Sequence, residues 1–377
     1  MIKDKAGFVM KRYVLRGRLI LILVFALLIP VISLGETDAQ TAEAVEQVGL
    51  ECPHILSVSV ISKNDFLVKI KRVKKADGYC IYNIEDDGTI RDLKTVKGNK
   101  NCEFVVGGLK YSKKYKLTVS AYINDPVSGQ KIMGPYDEKG TQKVLKVKTK
   151  KKNGLIYYYD MDGKVIKNVE SFLKKRQRKY LIKVNTERCV VTIYAKDGNK
   201  GYRIPVRSFL CSPGVGTKSG SFSLGEKFRY RSLFYNTYSQ WTAVIHGNIL
   251  FHTTPYKSYG NNDSLDVSEY NKLGTSASHG CIRMQCIGVK WIYDNCKSGT
   301  RVIIYKSKKA GPFGKPKLEK VGKWHKWDPT DPTAKKKCRK HRCVHRVITQ
   351  SEKSPTSKLR CRWGLCQTIL SRGTRSD

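Results

Sequence analysis

Ser278-His279-Gly280-Cys281-Ile282-Arg283 sets a thiol two residues after an imidazole, with a glycine between them and a guanidinium two residues on. A thiol is a weak nucleophile until a base or a positive field makes it a thiolate, and histidine is the side chain suited to that near neutral pH. A lone cysteine is more often a small buried apolar residue. The fixed Ser-His-Gly-Cys order, with more histidines upstream, favours chemistry over packing.

Those histidines lie in Ile245-His246-Gly247-Asn248-Ile249-Leu250-Phe251-His252-Thr253-Thr254-Pro255-Tyr256, which reads as one strand-like segment. His246 and His252 are separated by an even number of residues, so in a continuous strand they share a face. A strand, an excursion and a return would bring one of His246, His252 and His279 to Cys281. Around this centre, residues 180–185 and 189–194 read as paired strands, residues 285–296 as a short helix and residues 300–305 as a closing strand. The loop Gly214-Val215-Gly216-Thr217-Lys218-Ser219-Gly220-Ser221-Phe222 has no strand-to-helix phosphate cradle around it, so no nucleotide site is read there.

Upstream, residues 55–149 consist of short alternating runs broken by turn signals. Phe66-Leu67-Val68-Lys69-Ile70, Gly78-Tyr79-Cys80-Ile81-Tyr82 and Tyr115-Lys116-Leu117-Thr118-Val119-Ser120-Ala121-Tyr122 read as strands, and Asp87-Gly88 as a hairpin turn. The succession Gly-Tyr-x-Ile-Tyr, then Leu109 and Tyr111, then the Tyr115 strand resembles a fibronectin type III module. A Tyr-rich run, Asn153-Gly154-Leu155-Ile156-Tyr157-Tyr158-Tyr159-Asp160, continues into Asp162-Gly163-Lys164-Val165 and reads as one hairpin, either a connector or a unit that resembles the aromatic repeats by which some envelope proteins hold wall polymers.

The chain has 377 residues with Lys+Arg 72 against Asp+Glu 31, a formal net charge of +41. Such a balance points to a polyanionic partner: nucleic acid, an anionic membrane surface or an anionic wall polymer. Basic residues Lys3 to Arg18 precede an apolar run over residues 19–34, and Glu36 and Asp38 follow, which is the order of an export segment. It serves as a cleaved signal peptide or as a membrane anchor, with everything after Gly35 outside. Export, and the lack of any zinc-finger or recognition-helix pattern in the body, disfavour nucleic acid as the partner, which leaves nucleic-acid binding through the basic tail as a third, weaker reading. Cys80 and Cys102 are the pair to test first for a disulfide. From Ala334 the chain is basic, with Cys338, His341, Cys343, His345, Cys361 and Cys366. Four residues separate the members of each cysteine pair; a Cys/His metal knuckle is the alternative reading, and a disordered basic tail the expected one.

The region from Tyr180 to Ser307 resembles the YkuD-type L,D-transpeptidases, which remodel peptidoglycan. The likeness rests on the strand pair, on Thr217-Lys218-Ser219-Gly220-Ser221-Phe222 where the family shows Thr-Pro-x-Gly-x-Phe, on His252-Thr253-Thr254-Pro255-Tyr256, and above all on Ser278 to Arg283. It implies Cys281 as nucleophile and His252 as its base, the imidazole held through the main chain at Thr253. It further implies an oxyanion pocket from the Ser278–Gly280–Cys281 turn, and substrate contacts from His279 and Arg283. Lys218 departs from the family's proline. The long His252-to-Cys281 separation leaves His246 or His279 in contention as base.

The expected fold is mainly β: a fibronectin type III-like sandwich (55–149) followed by a β-rich catalytic domain (179–307) with one short helix after the cysteine motif. Residues 1–35 are the signal peptide or anchor, 36–54 a linker, 150–178 the Tyr-rich connector and 308–377 the basic tail. The resemblance implies cross-linking of peptidoglycan stem peptides through a cysteine thioester, with no metal or nucleotide cofactor. Anionic wall polymers are further partners, and the membrane is one if the leader is retained. The competing readings are hydrolysis, as an L,D-carboxypeptidase, and a non-catalytic wall-binding or adhesion protein with a degenerate enzyme domain.

Overall fold

The computed structural model describes residues 49–100 and 102–334. The export segment, most of the linker, and the basic tail from residue 335 lie outside the described residues, as do the cysteines and histidines of that tail. No helix among the described residues is long and apolar enough to cross a membrane.

A β-sandwich comes first. Strands β1 (Ile55–Val60), β2 (Phe66–Ile70) and β5 (Glu103–Val106) form one sheet in the order β1-β2-β5. Strands β3 (Gly78–Ile84), β4 (Ile90–Lys97), β6 (Lys114–Asn124) and β7 (Lys131–Met133) form the other in the order β4-β3-β6-β7, with β8 (Thr141–Val144) also paired to β6. β3 shows how alternation builds the module. Tyr79 and Ile81 point into the main core, while Cys80 and Tyr82 join Tyr122 in a small cluster on the opposite face. Near the start of β6 the Tyr115 hydroxyl accepts the Lys110 N–H at 2.7 Å, a tyrosine corner of the kind that pins Greek-key sandwiches. Cys80 sits in one sheet beside Thr95, whereas Cys102 lies just before β5 of the other sheet, beside Asn99. Both thiols are free, so the expected disulfide is not formed.

The connector differs from its reading in the sequence. β9 (Val147–Lys152) pairs with β10 (Leu155–Asp160) around Asn153-Gly154, whose φ values of 51° and 74° suit the tight hairpin turn in which both central residues are left-handed. The Asp162-Gly163 turn is followed only by an isolated bridge between Tyr159 and Val165. The Tyr strand thus takes a lysine-rich partner from before it, and the 149/150 boundary cuts through β9. Lys143 of β8 reaches Asp160 at 3.2 Å with both side chains buried, locking hairpin to sandwich.

The second layer of architecture is a sheet of nine strands. Its members are β11 (Tyr180–Asn185), β12 (Val190–Lys196), β13 (Tyr202–Ser212), β14 (Gly220–Ser223), β15 (Lys227–Ser232), β16 (Tyr238–His246), β17 (Ile249–Thr253), β18 (Ile282–Met284) and β19 (Arg301–Tyr305). The order is β14-β19-β11-β12-β13-β18-β17-β16-β15, with β11/β19 and β17/β18 parallel and the other pairs antiparallel. β12 is buried along nearly its whole length, as its unbroken Val-Val-Thr-Ile-Tyr-Ala run requires of a central strand. Helix α1 (Val267–Asn271) is capped by Asp266, whose carboxylate accepts the N–H groups of Ser268 and Glu269. Helix α2 (Cys286–Asn295) follows β18 directly. Gly288 lets it lie close to the sheet, because a Cβ there would stand 2.8 Å from Met284 Cε and 3.1 Å from Phe209 Cγ.

Residues 308–334 were expected to begin a disordered tail, and they do not. Phe313, His325, Trp327, Asp328 and Asp331 are buried, and Leu318 and Val321 pack on a cluster formed by Leu210, Tyr256, Leu265, Tyr270 and Leu273. Apolar and hydrogen-bonding side chains spaced through this basic segment anchor it.

Candidate active site

The short strand β18 carries the site into the middle of the sheet. Cys281 immediately precedes it, and its register against β17 sets Phe251 opposite Ile282, His252 opposite Arg283 and Thr253 opposite Met284. Cys281 is half-buried and its Sγ lies 3.3 Å from the Asn248 carbonyl, to which the thiol donates. Burial pushes the thiol pKa up; a main-chain hydrogen bond at Leu250 and the charges of Arg283 and Arg231 pull it back in part.

His252 is 2% exposed. Its Nδ1 is 2.6 Å from the Thr253 carbonyl, and since a carbonyl only accepts, Nδ1 carries the proton and Nε2 the lone pair. Burial first, and the neighbouring Arg283 guanidinium second, push the imidazole down to about 4, against the pull of the Thr253 carbonyl. No direct hydrogen bond joins Cys281 to His252 among the described residues; strand register is what brings them together.

The turn before Cys281 is clamped by the glycine loop. Thr217 Oγ1 donates to the Gly280 carbonyl at 2.7 Å and accepts the Gly214 N–H at 2.9 Å, while the Gly216 N–H reaches the His279 carbonyl at 2.9 Å. Glycine is needed for this approach: a Cβ on Gly214 would sit 2.1 Å from the Ser278 carbonyl oxygen, and one on Gly216 2.5 Å from that of His279. The Ser278 hydroxyl closes the turn onto the Cys281 carbonyl. The N–H groups of Gly280 and Cys281 have no acceptor among the described residues. Arg283 is ion-paired with Glu269 of α1.

His279 and His246 lie elsewhere. His279 is exposed, its ring 5.8 Å from that of Tyr235 at the tip of the β15–β16 hairpin, where Phe234 and Tyr235 also face solvent. His246 ends β16, exposed against the ring of Phe222 at 5.6 Å. Gly247, at φ 49°, and Asn248 turn the chain back into β17, so the two histidines belong to different strands and the expectation of a shared face fails. A Gly-Asn pair inside an apolar run is a hairpin signal, and it outweighed the period. Asn248, Leu250 and Arg231 were not singled out in the sequence; the first two act through main-chain atoms, which no residue type announces.

Part of the chain is similar to known proteins. Residues 179–304 match the YkuD family model, the L,D-transpeptidase catalytic domain. The candidate L,D-transpeptidase YciB of Bacillus subtilis (strain 168) is 42% identical over 59 residues, which is 16% of this chain and 29% of that protein. An L,D-transpeptidase from Mycobacterium smegmatis aligns over 68% of this chain and 98% of its own at 11% identity, with a TM-score of 0.27. A human fibronectin type III domain aligns over 29% of this chain and 80% of its own at 15% identity, with a TM-score of 0.20. Residues 179–304 are accordingly a YkuD-type L,D-transpeptidase catalytic domain, and a two-sheet β-sandwich precedes it.

Proposed function

We propose that this protein cross-links peptidoglycan stem peptides, with Cys281 as nucleophile and His252 as its base. The observation that carries the reading is the imidazole itself: buried, neutral, proton pinned on Nδ1 by Thr253, one parallel strand away from a half-buried thiol. His252 Nε2 takes the thiol proton as sulfur attacks the carbonyl that follows an L-configured centre. The N–H groups of Gly280 and Cys281 stabilise the oxyanion, each by about 3 kcal/mol. The C–N bond to the terminal D-alanine then breaks, its amine receives the proton from His252, and a thioester remains on Cys281. An amine of a second stem attacks that thioester, gives its proton to His252, and the amide cross-link forms as the thiol is restored. Water in place of the amine makes the same site an L,D-carboxypeptidase.

In this reading Ser278 and Thr253 hold geometry and His279 borders the substrate. Arg283, committed to Glu269, acts by keeping His252 neutral. His246 has no part as base. The basic leader and the +41 charge support export to the wall side of the membrane and attraction to anionic wall polymers. No step calls for a metal or organic cofactor.

The test is direct. Purified chain with a tetrapeptide donor and an amine acceptor should yield a cross-linked product by mass spectrometry, and Cys281→Ala should abolish it while circular dichroism stays unchanged. Product formation undiminished in that variant would refute the role of Cys281.

A further inference from the structure

Beyond the family-matched segment, the sequence Asp328-Pro329-Thr330-Asp331-Pro332-Thr333 folds as the same small turn twice over. Asp328 Oδ1 accepts from the N–H and hydroxyl of Thr330 at 2.8 and 2.7 Å. Asp331 Oδ1 accepts from the N–H and hydroxyl of Thr333 at the same distances of 2.8 and 2.7 Å. Each turn uses one carboxylate oxygen internally and turns the other toward the catalytic sheet. Both aspartates are buried, 0% and 2% exposed.

The two outward oxygens hold different limbs of the site. Asp331 Oδ2 accepts from Gln240 Nε2 at 2.7 Å, and the same amide nitrogen donates to the Tyr256 hydroxyl at 2.8 Å. The main-chain N–H of Gln240 donates to Thr253 Oγ1 at 3.1 Å, and the Thr253 carbonyl takes the His252 Nδ1 proton at 2.6 Å. On the other limb, Asp328 Oδ2 accepts the Cys286 N–H at 2.7 Å, and Thr330 Oγ1 accepts that of Ile287 at 3.0 Å. These are the first N–H groups of α2, whose own N-cap residue, Gln285, provides no side-chain bond. That helix fixes the end of β18 and, through it, Cys281.

We propose that Asp328 and Asp331 are positioning residues that hold the Cys281 and His252 limbs in mutual register, making the strap outside residues 179–304 part of the catalytic apparatus. The inference rests on the Cys281–His252 reading given above. Buried second-layer groups of this kind act by keeping reacting atoms within a fraction of an ångström of productive geometry.

The test uses the full chain and three readouts: kcat and KM for D-alanine release from a tetrapeptide donor, the rate of Cys281 alkylation by iodoacetamide followed by peptide mapping, and the melting temperature. Asp331→Ala should lower kcat about tenfold or more with KM unchanged, and Asp331→Asn, which keeps one oxygen able to accept from Gln240 or from Thr333 but not from both, should lose less than Asp331→Ala. Thr253→Val removes the intervening acceptor without touching the strap and should reproduce the kcat loss, which keeps the proposal testable if Asp331→Ala does not fold. Unchanged kcat in a folded Asp331→Ala or Thr253→Val chain, or Asp331→Asn falling as far as Asp331→Ala, overturns the proposal. If the parent chain releases no D-alanine, the transpeptidase reading fails by itself. Alkylation then decides the strap: slower in Asp331→Ala supports its hold on the site, and equal or faster refutes it.

Discussion

His252 and Arg283 stand opposite each other on adjacent parallel strands, the imidazole buried and the guanidinium ion-paired with Glu269. A fixed positive charge beside a buried imidazole resists its protonation. Burial likewise favours the thiol form of Cys281. In the proposed mechanism the resting pair is therefore a neutral thiol and a neutral imidazole, and proton transfer would accompany attack on substrate. The thiolate that the motif suggests as a resting species is a transient one.

This fixes the pH profile. Because burial and Arg283 push His252 down to about 4, acylation of Cys281 should persist well below the ordinary imidazole value of 6.5 and decline only as pH falls toward about 4. Arg283→Gln removes part of the depression and should move the acid limb upward. Stopped-assay rates of donor acylation across pH check both; a parent acid limb near 6.5 would contradict the assignment.

Two buried groups should oppose each other in the pH dependence of stability. The folded pKa of His252 lies below its free value of 6.5, at about 4, so its unfolded form binds more protons in that interval and stability rises with pH. Asp328 is raised by burial from 3.8 to about 6, so the folded form binds more protons and stability falls as pH rises through that window. Besides the backbone and Thr330 donors that lower it, Asp328 is faced by Asp331, Cys286, Tyr256 and Tyr270. Each effect amounts to about 3 kcal/mol. Chemical unfolding between the two values should show Asp328→Asn gaining stability with pH more steeply than the parent, and His252→Gln less steeply. Identical slopes would exclude the assigned shifts.

Thr217 links the glycine loop to the turn before Cys281. Thr217→Val leaves the buried Gly214 N–H without its acceptor and should cost about 1–3 kcal/mol in unfolding free energy. Loss of the bond to the Gly280 carbonyl should also slow acylation by about tenfold. Thr217→Ser restores the hydroxyl and should recover most of both. A Val variant with parental rate would show that the turn is held by other contacts.

Truncation should separate the two parts of the C-terminal region. A chain ending at residue 334 keeps every described contact of the strap. One ending at residue 307 strips Leu318 and Val321 from the Tyr256–Leu265–Tyr270 cluster and uncaps α2, and should lose thermal stability and donor acylation together. Calorimetry on both chains reads the difference; parental stability of the shorter chain would refute a structural strap.

Much of this was legible in the residues. β2 and β11 coincide with the apolar runs that named them, because both are short, nearly continuous apolar runs bounded by polar turn residues. Cys281 and His252 stood out because rare chemistry-bearing types cluster around a fixed motif. What failed was pairing. Gly247-Asn248 folded an apparent single strand in two, and Asn153-Gly154 gave the Tyr strand a lysine-rich partner from upstream. Partner choice depends on which edges remain to be filled, and local pattern does not carry that. The Asp-Pro-Thr turns fell within the expected basic tail because their burial arises only from a surface that residues far earlier in the chain create.

The central claim is that Cys281, and no other cysteine, becomes the acyl carrier with His252 as its base. Intact-mass and peptide-mapping analysis after brief exposure to a tetrapeptide donor tests it most directly. The predicted result is the mass of the donor acyl group, less D-alanine, on the peptide containing Cys281, lost in Cys281→Ala and strongly slowed in His252→Gln. Acylation mapped to another cysteine, or formed at parental rate without His252, would contradict it.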